Sequence, residues 1–209
     1  MMNKFDILEA FGIEETPTIG LEDIFYLKEL KQRRLFLEEE VAQYSVSDLI
    51  HQIMQFNMED ASVPVEERKP ILLYIATEGG SVDAGFELID AIRMSKTPVF
   101  TINVGYEYSM GFLIGISGHK RFAFPSAKFL LHDGSNIAYG SSTKVQDQLE
   151  FNRKIENRIK ELVVSRTNIT AKEYDKNLRV EWYMFADEAK KRGVIDAIIG
   201  EDCDIDAVL

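Results

Sequence analysis

The sequence predicts an α/β fold with a mainly parallel sheet, and three observations carry that prediction. Residues 71–76 are a short, almost wholly apolar run of the kind found in strands buried on both faces, and residues 98–104 read as the next strand. Between them residues 82–94 have helical period, so strand, tight turn, helix and strand follow in the order of a βαβ unit, whose crossover makes its strands parallel. The 209 residues, 45% hydrophobic and 28% charged, suffice for one domain with a sizeable core.

Residues 1–20 show no sustained period and are punctuated by Gly12, Pro17 and Gly20, which reads as an arm outside the core. Ile24, Phe25, Tyr26 and Leu27 form a compact apolar anchor within residues 23–31, and residues 34–37 read as a first strand. Ser45 reads as an N-cap, with Asp48 three residues on. Val46, Leu49, Ile50, Ile53 and Met54 follow at helical spacing, predicting a helix to about Met58. After a polar loop with Pro64 and Pro70 comes the strand 71–76, and the turn Thr77-Glu78-Gly79-Gly80 leads into the helix 82–94, with Phe86, Ile89, Ala91 and Ile92 on its inner face. Gly105 breaks the chain after the strand 98–104, and residues 109–118 are small and apolar enough for a buried helix. Residues 121–124 and 128–132 are two short strands separated by Pro125-Ser126. Val145, Leu149, Ile155, Ile159, Leu162 and Val163 mark a long helix, roughly twenty residues or more and well above the usual mean. A helix over 186–192 and a strand over 195–199 complete the order, with no internal repeat or low-complexity tract.

Charge and cysteine usage narrow the functions available. With 24 Lys+Arg against 35 Asp+Glu the net charge is -11, which argues against a groove that tracks phosphates and against anionic membrane surfaces. Cys203 is the single cysteine, so no disulfide closes within the chain, in keeping with a reducing compartment. Acidic residues Asp6, Glu9, Glu14 and Glu15 interrupt the apolar runs near Met1, and no stretch is apolar enough to span a bilayer. A cytoplasmic protein is expected. The three histidines are scattered, with no carboxylates at ligand spacing around them, so neither a metal site nor a cofactor is expected.

Three places carry chemistry. Gly79-Gly80, between a buried strand and a helix start, lets backbone N–H groups approach a ligand closely; alone it reads as a tight βα turn. Ser109-Met110-Gly111 sets a hydroxyl at a strand-to-helix corner with the next N–H aimed into the same space, as acyl-transfer nucleophiles require; alone, Ser109 reads as an N-cap. His132 is the one histidine that closes an apolar strand, since His51 lies off its helix's apolar stripe and His119 sits beside Lys120 and Arg121; alone, it reads as an edge histidine. Together they supply a nucleophile, a base and oxyanion donors at the ends of strands.

Tyr74-Ile75-Ala76-Thr77-Glu78-Gly79-Gly80-Ser81-Val82-Asp83-Ala84-Gly85, Tyr108-Ser109-Met110-Gly111, Phe129-Leu130-Leu131-His132, Phe185-Ala186-Asp187-Glu188-Ala189 and Gly193-Val194-Ile195-Asp196 resemble, in order and near spacing, the proteolytic subunit of the Clp protease (ClpP), a family of serine peptidases. The similarity runs from about Arg34 to Gly200. It implies a crotonase-like fold of repeated ββα-type units with a protruding handle. Residues 1–30 become an N-terminal arm or axial loop segment, 31–132 and 168–200 the head, 133–167 the handle, and 201–209 an acidic tail. It implies Ser109 as nucleophile, His132 as general base, and the N–H groups of Gly80 and Met110 as the oxyanion hole. Glu181 falls where the family has its catalytic Asp, once Tyr183 and Ala186-Asp187-Glu188-Ala189 anchor the alignment. Implied partners are further copies of the chain in two stacked heptameric rings, a hexameric Clp AAA+ ATPase, and the unfolded polypeptides and small peptides cleaved inside the chamber.

The chain departs from the family pattern at several positions. Glu78 replaces a proline, Glu107 and Tyr108 replace small residues, Asp133-Gly134 stands for Gln-Pro, and the stretch from Ser109 to His132 is two residues shorter than is typical. The expectation is an ATP-dependent Clp-type serine endopeptidase subunit, favoured by the presence of both Ser109 and His132. The alternative is a structural or regulatory ring subunit, favoured by Glu181 and the bulky Tyr108. An acyl-CoA enzyme of the crotonase superfamily ranks below both, because no Lys or Arg cluster near Gly80 offers itself to the CoA phosphates.

Overall fold

A computed structural model describes residues 20–135 and 137–209; all but the last residue of the arm expected over 1–20 lies outside them. Contacts divide the chain into two units at Gln32/Arg33. In the first, the expected apolar anchor is a helix, α1 (Leu21–Lys31), with Leu21, Phe25, Tyr26 and Leu27 exposed. The second holds seven strands and six helices among the described residues, together with two short 3₁₀ turns. They run β1 (Arg34–Leu37), α2 (Gln43–Glu59), β2 (Ile71–Thr77), α3 (Val82–Met94), β3 (Val99–Tyr108), α4 (Met110–Gly115), β4 (Lys120–Ala123), β5 (Lys128–Leu131), α5 (Ser142–Arg166), α6 (Ala171–Asn177), β6 (Trp182–Phe185), α7 (Ala186–Lys191) and β7 (Ala197–Ile198).

The sheet has the order β1-β2-β3-β4-β7, all parallel, and β5 leaves this path to pair with β3 on one side and β6 on the other. This mixed α/β arrangement with a parallel sheet is the one expected for the ClpP fold. Apolar residues at helical spacing turn Val46, Leu49, Ile53 and Phe56 of α2 and Ala84, Leu88, Ile89 and Ile92 of α3 into the core, which explains why these two helices pack together. Ile71, Leu73 and Ile75 of β2 are wholly buried, as a central parallel strand requires. The opposite sheet face carries Leu72, Tyr74, Ile102 and Phe122, covered by Ile199 and Val208, with the Tyr74 hydroxyl donating to the Val208 carbonyl.

Four local readings need correction. Gly105 does not end β3, which runs on to Tyr108 and changes neighbour on the way: its first half pairs with β4 over Phe100–Asn103 and its second with β5 over Tyr106–Tyr108. Asn103 accounts for the change, its Oδ1 accepting from Gly105 N and its Nδ2 donating to Lys128 O (2.9 and 3.0 Å). Ser45 is not the N-cap of α2 but lies one turn inside, where its Oγ accepts from Ala42 N (3.0 Å) and donates to Glu40 O (2.7 Å). The helix after Ser109 ends at Gly115, and the last strand shrinks to Ala197–Ile198. Sequence reading passed over α6 and β6.

Arg33 ties the start of β1 to the end of α2. Both of its terminal nitrogens reach Asp60 at 2.6 Å, and Thr97 Oγ1 donates to the same carboxylate at 2.8 Å. Asp60 is 6% exposed, and the Arg33 hydrogen bond holds its carboxyl below the usual range. Because the folded value is depressed, this stabilisation is present above the unfolded carboxylate range and is lost as pH falls through the folded value. Asp60→Ala leaves the half-buried Arg33 with Lys69 O and the Phe56 ring and removes the acceptor of Thr97 Oγ1, so it should cost about 2 kcal/mol at neutral pH. Urea denaturation should find that difference shrinking as the pH is lowered through the carboxylate range.

Candidate active site

The site is assembled by strand register. Tyr106, Glu107 and Tyr108 of β3 lie beside Lys128, Phe129 and Leu130 of β5, and Ser109 N extends the ladder by donating to Leu130 O at 2.9 Å. His132, the first residue beyond β5, is therefore held beside the corner that carries Ser109. On its other side β5 pairs antiparallel with β6, and the partners Leu131 and Trp182 make Glu181 and His132 the next pair in register. Cross-strand neighbours of this kind meet side chain to side chain. His132 Nδ1 and Glu181 Oε1 are 3.0 Å apart. An ionised carboxylate only accepts, so Nδ1 carries the proton and Nε2 is left as the acceptor.

Ser109 has φ 55 and ψ -117, a conformation that side chains rarely adopt and that makes the strand-to-helix turn after β3 a strained elbow. Its hydroxyl is not spent on capping α4 and has no hydrogen-bond partner among the described residues. The expected N-cap therefore sits at the cap position without performing the cap's bond. The βα turn after β2 packs directly on this elbow. Thr77 Oγ1 donates to Glu39 O (2.6 Å) and accepts from Gly79 N (3.1 Å), fixing the turn. Gly79 has φ +92, and a Cβ there would come within 2.6 Å of Tyr108 O and 2.8 Å of Met110 N, so only glycine fits. Val41 N donates to Gly79 O, and Val41 O accepts from Ser81 N, both at 2.7 Å. Strand alternation then points the Gly80 N–H away from Val41. Met110 N–H opens α4, where no intrahelical acceptor exists for it.

Gly80, Ser109 and His132 line one cleft of about 270 Å³, whose other walls come from Val82, from the segment after His132, from α5 and from α6. All five expected site residues thus meet: three line the cleft, Glu181 bonds His132, and Met110 follows Ser109. The remaining histidines do not join them. His51 is exposed, and His119 accepts the Val99 N–H at 3.1 Å, burial holding its ring below the ordinary value.

Sequence reading missed the far wall, Asn152, Ile155, Glu156 and Ile159 on one face of α5, with Tyr174 and Leu178 opposite. The spacing i, i+3, i+4, i+7 was the available signal. The bulky Tyr108 leaves the elbow open because its ring lies on the sheet face, 5.2 Å from Tyr106 and 5.8 Å from Tyr183. Burial, then Glu78 and Tyr106, push its phenol above the ordinary value. Among the described residues no group of His, Cys, Asp and Glu could hold a metal ion, and no helix is long and apolar enough to cross a membrane.

Comparison with known proteins gives a family match and curated relatives. The sequence profile of the family described as Clp protease matches residues 22–202. A Treponema pallidum (strain Nichols) protein described as ATP-dependent Clp protease proteolytic subunit 2 is 28% identical over 186 residues, which cover 88% of this chain and 90% of that protein.

Glu107 lies beneath the elbow on the face opposite Tyr108. It is 2% exposed, level with Thr77 and Phe129, and its carboxyl rests on Gly115 of α4. Burial alone pushes this carboxyl well above the usual range. An acid with a raised folded value loses stability as pH rises from about 4.3, the unfolded value, towards the folded one, by about 1.4 kcal/mol per pH unit. Glu107→Gln should remove that slope. Denaturation of both proteins across the window should show their stabilities diverging as pH rises; parallel curves would contradict the assignment.

Proposed function

The chain belongs to the Clp protease family, and from that premise we propose that it is an active serine endopeptidase subunit. The observation that carries this reading is the hydrogen bond between His132 Nδ1 and Glu181 Oε1 beside the unpartnered Ser109 hydroxyl. Ser109 Oγ attacks the scissile carbonyl carbon as His132 Nε2 takes its proton, and Glu181 stabilises the resulting imidazolium. The tetrahedral oxyanion is met by the N–H groups of Gly80 and Met110. Collapse breaks the C–N bond, and the amine leaves with the proton from His132. Water, activated by the same imidazole, then releases the acyl group from Ser109. The Ser109 to His132 hydrogen bond forms as substrate binds, since such bonds commonly tighten only in the complex.

Assembly belongs to the same reading. Leu149 and Phe151 of α5 are 47% and 61% exposed, and Ile137 and Tyr139 before it 96% and 91%, an apolar surface that further copies of the chain would bury. Residues 133–167 then act as the handle that joins two heptameric rings into a chamber, and a Clp ATPase feeds unfolded chains into it. Glu181 stands in for Asp because its direct register with His132 gives the longer side chain room to reach Nδ1.

Native mass spectrometry of the protein treated with a fluorophosphonate tests site and assembly together. The expected species are multiples of seven subunits with an adduct mapped to Ser109, and no adduct on Ser109→Ala. A stable monomer would remove the chamber, and an assembled but unlabelled protein would be a structural ring subunit.

A further inference from the structure

The cleft beside Ser109 has apolar walls and an acidic end. Val82, Ile155, Ile159 and Leu178 supply the walls, while Asp133 and Glu156 line the cleft without a lysine or arginine among its lining residues. Neither carboxylate has an ion pair or hydrogen bond among the described residues. Asp175 nearby differs, being held by Lys160 at 2.6 and 2.7 Å.

Tyr174 is an independent pointer to what the cleft takes. It is 3% exposed and lines the cleft, yet its hydroxyl has no partner among the described residues. The hydroxyl oxygen is open to the cleft and not sealed in the core, so it is free to bond a ligand there. Its phenol is pushed up to about 12, by burial first and then by Asp133, Glu156 and Asp175, so the negative field of those carboxylates reaches the hydroxyl. A short or purely apolar substrate side chain would make no use of these three acceptors, two of them the exposed carboxylates of Asp133 and Glu156. A long aliphatic stem with a cationic end meets both halves of the cleft, packing its methylenes on apolar wall and keeping its charge among acceptors. The net charge of -11 also draws cationic chains toward the protein.

We propose that this cleft selects a lysine or arginine side chain on the residue that supplies the scissile carbonyl. Its stem lies along Val82, Ile155, Ile159 and Leu178, and its charged end is received by Glu156, Asp133 and the Tyr174 hydroxyl oxygen. Glu156 and Asp133 are then the specificity-determining residues. The inference rests on the peptidase reading of Ser109.

Two arms keep the failure of one distinct from failure of the other. In the first, peptidyl diphenylphosphonates ending in a lysine or a norleucine analogue react with the assembled protein, and the adduct is mapped. Ser109 should be labelled about fivefold faster by the lysine probe, the preference shrinking with added salt and in the Glu156→Gln, Asp133→Asn double variant. Equal rates, or a faster norleucine probe, would overturn the specificity and leave the peptidase reading intact. Labelling by neither probe would overturn the peptidase reading, and the inference about a scissile residue with it. The second arm needs no chemistry: fluorescence anisotropy of Ser109→Ala with labelled peptides that differ only in lysine against norleucine. About fivefold tighter, salt-sensitive binding of the lysine peptide is expected. Equal affinity would overturn the inference whatever the outcome of labelling.

Discussion

The pairing of β5 between β3 and β6 is the constraint on which the site depends. β5 is only Lys128–Leu131, but one edge runs parallel to the strand that carries Ser109 and the other antiparallel to the strand that follows Glu181. Those two ladders set three side chains from distant parts of the sequence at one end of one small sheet. Strand side chains have a period of two, so a slip of one residue in either ladder would turn His132 or Glu181 to the opposite face. The buried Phe129 and Met184, facing each other across β5 and β6, oppose such a slip because it would drive them into solvent. Precision at the site is thus inherited from apolar packing beneath it.

A second requirement is close approach between the two turns, one after β2 and one after β3. The register between these strands shifts between Ile75 and Thr77, so that Thr77 comes level with Glu107. The shift brings Gly79 against the Ser109 corner. The segment ending at Val41 holds the first turn from outside, while Leu130 O holds the second from beside it. Backbone donors fixed in this way need not reorganise as charge develops on a bound carbonyl, which is where such donors gain their effect. Glu107 is the price of this arrangement, a carboxyl kept in the protein interior under the elbow.

Much of the fold was legible because period and composition agree at α2, α3, α5, β1 and β2. The bounds of α3 follow from Ser81, whose Oγ accepts from Ala84 N at 3.3 Å, and from a burial stripe at helical spacing. β6 was not legible. Trp182-Tyr183-Met184-Phe185 leaves Tyr183 and Phe185 more than half exposed, so it is a strand because β5 offers it an edge. α6 buries Tyr174 alone, too little for a periodic signal, although Thr170 Oγ1 accepting from Glu173 N supplies its N-cap. Ser109 and His132 could be picked out as strand-end residues, and Gly79-Gly80 as a turn. Glu181 came from resemblance alone, because the pairing that faces it to His132 involves the strand that sequence reading missed. The acidic end of the cleft was hidden for a similar reason, its parts coming from a loop and two helices.

Everything proposed for the site turns on β5 and β6 holding Glu181 against His132, so that the imidazole presents Nε2 toward Ser109. Proton NMR of the protein with 15N-labelled histidine reads that bond directly. A strongly downfield Nδ1–H resonance from His132 is expected, identified by its loss in His132→Ala and absent also from Glu181→Ala. A wild-type protein without such a resonance, or one whose resonance survives in Glu181→Ala, would contradict that arrangement.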